Sequence, residues 1–185
     1  MNLPNKLTML RLILIPFFIT AFYLGFFTGH YIVALGIFAI ASITDFFDGY
    51  IARKYNMVTD LGKFLDPIAD KVLVLSGLIV LLSDPYETNV FNQLGTIGMV
   101  YGGVGVAIIM AREMVVSSLR MMAAKKGIVL AAEMTGKIKT FFTDVTIIVL
   151  LLTGDLLTIA PSVGMIFDYI GIACFGISVV LTIIS

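Results

Sequence analysis

The chain has almost nothing with which to ligate or staple through sulfur or nitrogen. Its single cysteine, Cys174, excludes an intramolecular disulfide. Cys174 lies in an apolar run, where a small buried packing residue is expected. The one histidine, His30, follows a turn signal and is expected as an interfacial loop residue, not a ligand. Charge is scarce too. Only 13% of the residues are Asp, Glu, Lys or Arg and 59% are hydrophobic, against roughly 25% and 45–50% in ordinary globular chains. That balance excludes a soluble domain and points to an integral membrane protein. There is no internal repeat and no low-complexity segment. No small-x-small cleavage site follows the first apolar run, 12–29, which is also longer than the about 7–15 residues of a signal h-region. It is expected as a retained transmembrane helix.

What is present is a series of apolar runs. A spanning helix needs about 20 mostly apolar residues, and the chain divides into six such stretches. They cover about 7–27, 31–53, 62–83, 92–120, 135–153 and 161–184. Turn signals separate them at Thr28-Gly29-His30, Asp84-Pro85, Thr153-Gly154 and Ala160-Pro161. Segment 54–61 reads as a loop, as does 124–133, part of which can continue a helix. The fold expected is all-α, one membrane domain over 1–185, a bundle of six transmembrane helices.

Three of the expected loops, 28–31, 84–92 and 154–161, contain no cation. All twelve Lys and Arg lie near the N-terminus, the second-to-third junction or the fourth-to-fifth junction. Cytoplasmic loops carry the excess of Lys and Arg, so both termini and these two junctions are expected in the cytosol.

Four carboxylates break the apolar pattern: Asp45, Asp48, Asp66 and Asp70. Acids within membrane segments are costly and mark function. Asp45 and Asp48 are three apart, Asp66 and Asp70 four apart, so each pair shares one helix face. A short connection makes their helices antiparallel neighbours, and the two faces converge. At about 1.5 Å rise per residue the site lies roughly 5–12 Å below its loop. Four carboxylates so close need cations between them. An oxygen-only set favours a hard ion such as Mg²⁺, Mn²⁺ or Ca²⁺ over zinc, and Mg²⁺ completes its shell with substrate phosphates. Gly49 admits a ligand close to the backbone, and Arg53 can fork onto a phosphate.

The full pattern is D-x2-D-G-x2-A-R-x8-G-x3-D-x3-D, at Asp45, Asp48, Gly49, Ala52, Arg53, Gly62, Asp66 and Asp70. At every position it resembles the signature of the CDP-alcohol phosphatidyltransferase family. The resemblance implies six transmembrane helices, a homodimer, and Mg²⁺- or Mn²⁺-dependent transfer of a phosphatidyl group from a CDP-linked donor to an alcohol. By the same resemblance Asp45, Asp48 and Asp66 hold one or two metal ions. Asp70 is the general base and is also counted among the metal ligands. Gly49, Ala52, Arg53 and Gly62 shape the nucleotide and pyrophosphate pocket.

The acceptor is read from a basic cluster. Arg112, Arg120, Lys125, Lys126, Lys137 and Lys139 crowd the fourth and fifth helix ends. Cations at a helix N-terminus oppose its dipole, so Lys137 and Lys139 serve either a phosphate-bearing acceptor or anionic headgroups. PNKLTMLRLILIP at 4–16, ARE at 111–113 and GKIKT at 136–140 are similar to the branch of the family that joins CDP-diacylglycerol to sn-glycerol 3-phosphate. The products there are phosphatidylglycerophosphate and CMP, in phospholipid biosynthesis. That similarity runs to about residue 145, and the last helix reads as generic. It implies that Asn5, Thr8 and Arg11 border the site, and that Thr8, Arg11, Arg112, Arg120, Lys137 and Lys139 hold the acceptor phosphate. One departure stands out: relatives often carry Gln where this chain has Thr143. The expected place is the cell membrane, with the site facing the cytosol and membrane lipid, not nucleic acid, as its surroundings. Two rivals remain open. One is a sister enzyme using serine, inositol phosphate or phosphatidylglycerol. The other is a divalent-cation transporter.

Weaker signals are left with two readings each. Gly98 and Gly102 form a GxxxG that serves either a dimer contact or internal packing. Asp144 either joins a polar interior or pairs with a lysine. Asp168 has no cation nearby in sequence.

Overall fold

The computed structural model describes residues 2–25, 29–55, 60–84, 90–125 and 134–185, with the side chains at 45–54, Lys63 and Lys137 among those outside the description. Among the described residues every regular element is helical. In order they are α1 (Leu3–Tyr23), α2 (His30–Lys54), α3 (Asp60–Leu82), the short α4 (Val90–Gln93), α5 (Gly95–Lys125), α6 (Met134–Ile159) and α7 (Pro161–Ile184). Four are long and apolar enough to cross a membrane: 5–23, 95–123, 138–159 and 161–184. α2 contributes a shorter apolar stretch, His30–Thr44. α3 carries Asp66, Asp70 and Lys71 in its first half.

The chain packs as two compact units, Met1–Val80 and Leu81–Ser185. In the first, α1 and α2 form an antiparallel pair across the turn at Gly29, whose φ of 102° suits glycine. Pro4 opens α1, where its missing N–H costs nothing. The buried face of α1 runs Asn5, Thr8, Arg11, Ile15, Phe18, Phe22. Its spacing of three and four is the seam of closely packed helices, polar for three places and apolar thereafter. α2 buries Tyr31, Ala34, Phe38 and Ala41 in the same rhythm, and positions 45, 48 and 52 continue that register along the helix. Phe18 packs on Phe38 at 5.7 Å between centroids, and Phe22 meets Tyr31 edge-on at 5.2 Å. His30 is not a loop residue. It opens α2, is buried, and its Nδ1 lies 3.0 Å from the Phe22 carbonyl oxygen. The free carbonyls at the end of α1 draw the ring inward.

In the second unit α7 packs along α6 and also touches α5. Its buried face is Gly164, Asp168, Gly171, Phe175, Ser178 and Thr182, again spaced by threes and fours. Phe175, Phe91 and Tyr101 form an aromatic cluster, with Phe91 edge-on to Phe175 at 5.1 Å. The glycines of α5 make room for it. A Cβ on Gly98 would lie 2.3 Å from the Phe91 oxygen, and one on Gly102 2.4 Å from Leu82. On Gly105 it would lie 2.6 Å from Phe175. The GxxxG is therefore internal packing.

Two other expectations change. Thr153-Gly154 does not break the helix: α6 runs on to Ile159. The Thr153 hydroxyl donates to the Val149 carbonyl at 2.8 Å, which satisfies it inside the helix. Only Ala160 separates α6 from α7, and Pro161 starts the next helix. Cys174 is half-exposed, not buried, because it lies beside the α7 stripe and not on it.

Candidate active site

An acidic cluster lies in the first unit. Asp66 and Asp70 lie one turn apart on α3 and are both half-buried. Gly62, a turn before Asp66, is buried, as is Ala69. The Thr8 hydroxyl of α1 donates to Asp66 Oδ1 at 2.6 Å. Thr8 and Arg11 are fully buried, and Asn5 is 5% exposed. The beginnings of α1 and α3 thus meet through a polar contact at one end of the unit, and the apolar seam of α1 continues away from it. α2 returns antiparallel to α1, so its C-terminal part, which carries Asp45, Asp48, Gly49, Ala52 and Arg53, ends near the start of α1. The side chains of those five lie outside the described residues. Asp66 is six residues into α3 and Asp70 ten, about 9 and 15 Å along the axis. Asp66 thus falls within the loop-based expectation and Asp70 somewhat beyond it, because α3 already begins at Asp60.

The donor set fits a hard divalent cation. Asp66 and Asp70 offer oxygen only. His30, the one imidazole, stands fifteen residues before Asp45 on α2, about 22 Å along the axis. Pro67 follows Asp66 and removes one backbone hydrogen bond from that part of α3.

A basic cluster lies in the second unit. Lys139 of α6 is 4% exposed, and its Nζ forms an ion pair with Glu113 Oε1 of α5. Arg112 Nη1 lies 3.5 Å from the same oxygen, and its Nη2 donates to the Ser185 hydroxyl. Two cations are held together because one carboxylate lies between them; without it they would repel. The Thr143 hydroxyl, one turn beyond Lys139, bonds the Lys139 carbonyl at 2.9 Å and the Ser178 hydroxyl at 2.5 Å. Position 143 is thus polar, and it fastens α6 to α7. Arg120 is exposed two turns after Arg112 and is not part of this cluster's described contacts. The backbone of Lys137 is on α6; its side chain, with Lys125 and segment 126–133, is outside the described residues.

Ser178 and Ser185 escaped the reading of the sequence, and Glu113 entered it only as the last residue of the ARE motif, without a role. The trace of the serines was Ser178 and Thr182, one turn apart in an otherwise apolar helix. α7 is therefore not generic: it braces the turn that carries Lys139.

Comparison with known proteins identifies the family. The family description for CDP-alcohol phosphatidyltransferases matches residues 1–184. The chain belongs to the CDP-alcohol phosphatidyltransferase family. A protein of Rickettsia felis is 39% identical over 185 residues, covering all of this chain and 91% of the relative. One from Salmonella paratyphi A is 39% identical over 186 residues, covering all of this chain and 90% of the relative. One from Bacillus subtilis is 40% identical over 162 residues, 82% of this chain and 77% of the relative. All three bear the name CDP-diacylglycerol–glycerol-3-phosphate 3-phosphatidyltransferase. Similarity thus extends past residue 145 and takes in α7. Membership of a transferase family also decides against the transporter reading.

Proposed function

We propose that this phosphatidyltransferase joins the phosphatidyl group of CDP-diacylglycerol to sn-glycerol 3-phosphate, giving phosphatidylglycerophosphate and CMP in phospholipid biosynthesis. The observation that carries the reading is 39% identity, over the whole chain, to relatives named for that reaction. The basic cluster supports it, because an acceptor that brings its own phosphate needs cations and serine does not. Buried Lys139 and half-buried Arg112 are drawn to one point by Glu113, and a phosphate can bridge them with charge-assisted hydrogen bonds.

Asp45, Asp48, Asp66 and Asp70 would hold one or two Mg²⁺ or Mn²⁺ ions. When bound, such an ion would supply charge neutralisation at the pyrophosphate and make CMP a better leaving group. Arg53 grips a phosphate of the donor, and Gly49, Ala52 and Gly62 keep the nucleotide's path narrow but open. Asp70 takes the proton from the acceptor hydroxyl as its oxygen attacks phosphorus. Arg112, Lys137 and Lys139 orient the acceptor, with Arg11 and Arg120 assigned to the same phosphate on resemblance alone. Positioning and charge stabilisation supply most of the catalysis in such transfers.

The reading includes six spans, counting α2 and α3 with the four long apolar helices. It places both termini and the cation-rich ends on the cytosolic side of the cell membrane. It also includes a homodimer, as the family resemblance implies. The deciding experiment supplies detergent-solubilised protein with labelled CDP-diacylglycerol and competing glycerol 3-phosphate, serine, inositol phosphate and phosphatidylglycerol. Labelled phosphatidylglycerophosphate with release of CMP is expected. Preference for any other alcohol refutes the acceptor assignment.

A further inference from the structure

A threonine hydroxyl has one proton to give, and at Thr8 that proton goes to Asp66. A phosphate offers only acceptor oxygens, so Thr8 cannot donate to one while it serves the carboxylate. We propose that Thr8 is a positioning residue for the divalent cation, acting through Asp66, and not a contact for the acceptor phosphate. This rests on the reading of the aspartates as a cation site.

Three observations carry it. The bond is 2.6 Å long, within the range of hydroxyl donors to charged carboxylates. It joins residues 58 apart in sequence, so it is a tertiary contact and not a local turn. Thr8 is fully buried while Asp66 is only half-buried, so the carboxylate is held from the protein side and remains open on another. With Oδ1 occupied by Thr8, the carboxylate cannot swivel freely, and Oδ2 is left for the ion. Pro67 weakens the backbone ladder next to Asp66, which makes a hold from a different helix more useful. Outer partners of metal ligands commonly change affinity by about 10–100-fold when lost.

The test measures Mn²⁺ binding by electron paramagnetic resonance on detergent-solubilised full-length protein, unsubstituted and as Thr8→Val and Thr8→Ser. Thr8→Ala replaces the valine variant should that one not fold. The expected result is a Kd for Mn²⁺ raised about 10–100-fold in Thr8→Val, with Thr8→Ser close to the unsubstituted protein. At saturating Mn²⁺ the KM for glycerol 3-phosphate should be the same in all. A normal Mn²⁺ Kd with a raised acceptor KM in Thr8→Val overturns the proposal and returns Thr8 to the phosphate. A Thr8→Ser variant as weak as Thr8→Val also overturns it, since packing and not the hydroxyl would then matter. Absence of Mn²⁺ binding in the unsubstituted protein removes the cation site itself, and this role with it.

Discussion

Replacing Gly98 by alanine tests whether the GxxxG of α5 is an internal seam. A Cβ there would lie 2.3 Å from the Phe91 carbonyl oxygen, 3.0 Å from its carbon and 2.8 Å from Leu94 Cβ. The nearest of these atoms is backbone, in α4, and cannot rotate away. Overpacking of this kind costs about 1–3 kcal/mol. For a chain of 185 residues each kcal/mol corresponds to roughly 2–4 °C in the midpoint, so a fall on the order of 5 °C is expected. Gly103 is the matched control: nothing lies within 4 Å of its Cβ position. Gly103→Ala should be neutral or gain about 0.5–1 kcal/mol from lost backbone freedom. The assay is the fraction of monodisperse protein left after heating in detergent, read by size exclusion at several protein concentrations. The chain has no tryptophan to report unfolding. An internal seam predicts that the loss does not depend on concentration. If Gly98→Ala were as stable as Gly103→Ala, or its loss vanished at high concentration, the seam would lie between copies and the reasoning would fail.

Other expectations concern the chemistry. Lys139→Gln removes a buried cation that would meet the acceptor phosphate. A charged hydrogen bond contributes about 1.5–3 kcal/mol, so the KM for glycerol 3-phosphate should rise roughly 10–100-fold while the KM for CDP-diacylglycerol changes little. Steady-state kinetics showing an unchanged acceptor KM would remove Lys139 from that role. Asp70→Asn should abolish turnover yet leave metal-dependent nucleotide binding measurable by calorimetry. Loss of both together would make Asp70 chiefly a ligand and leave the proton without its acceptor.

The acidic motif was legible in the sequence as the signature of the family. Carboxylates are costly in a lipid-compatible chain, and the spacing of Asp66 and Asp70 places them one turn apart on α3, as found. The starts of α2 and α7 were also readable, because Gly29 and Pro161 act through their own backbone chemistry. Where a signal depended on neighbours, the sequence was ambiguous. Thr153-Gly154 looked like a turn, but a hydroxyl that bonds its own helix removes the reason to break it. The GxxxG could face lipid, a second copy or the interior, since glycine only permits a close approach and does not name what approaches.

The order of polar and apolar residues thus determined a helical membrane chain, and the motif determined its family, because both are properties of single segments and fixed spacings. Which hydroxyl holds which carboxylate was decided by tertiary structure. Thr8 and Asp66, or Lys139 and Glu113, are dozens of residues apart. Only the packing of one helix on another brings a donor within hydrogen-bond distance of one acceptor and leaves equivalent groups elsewhere without that contact.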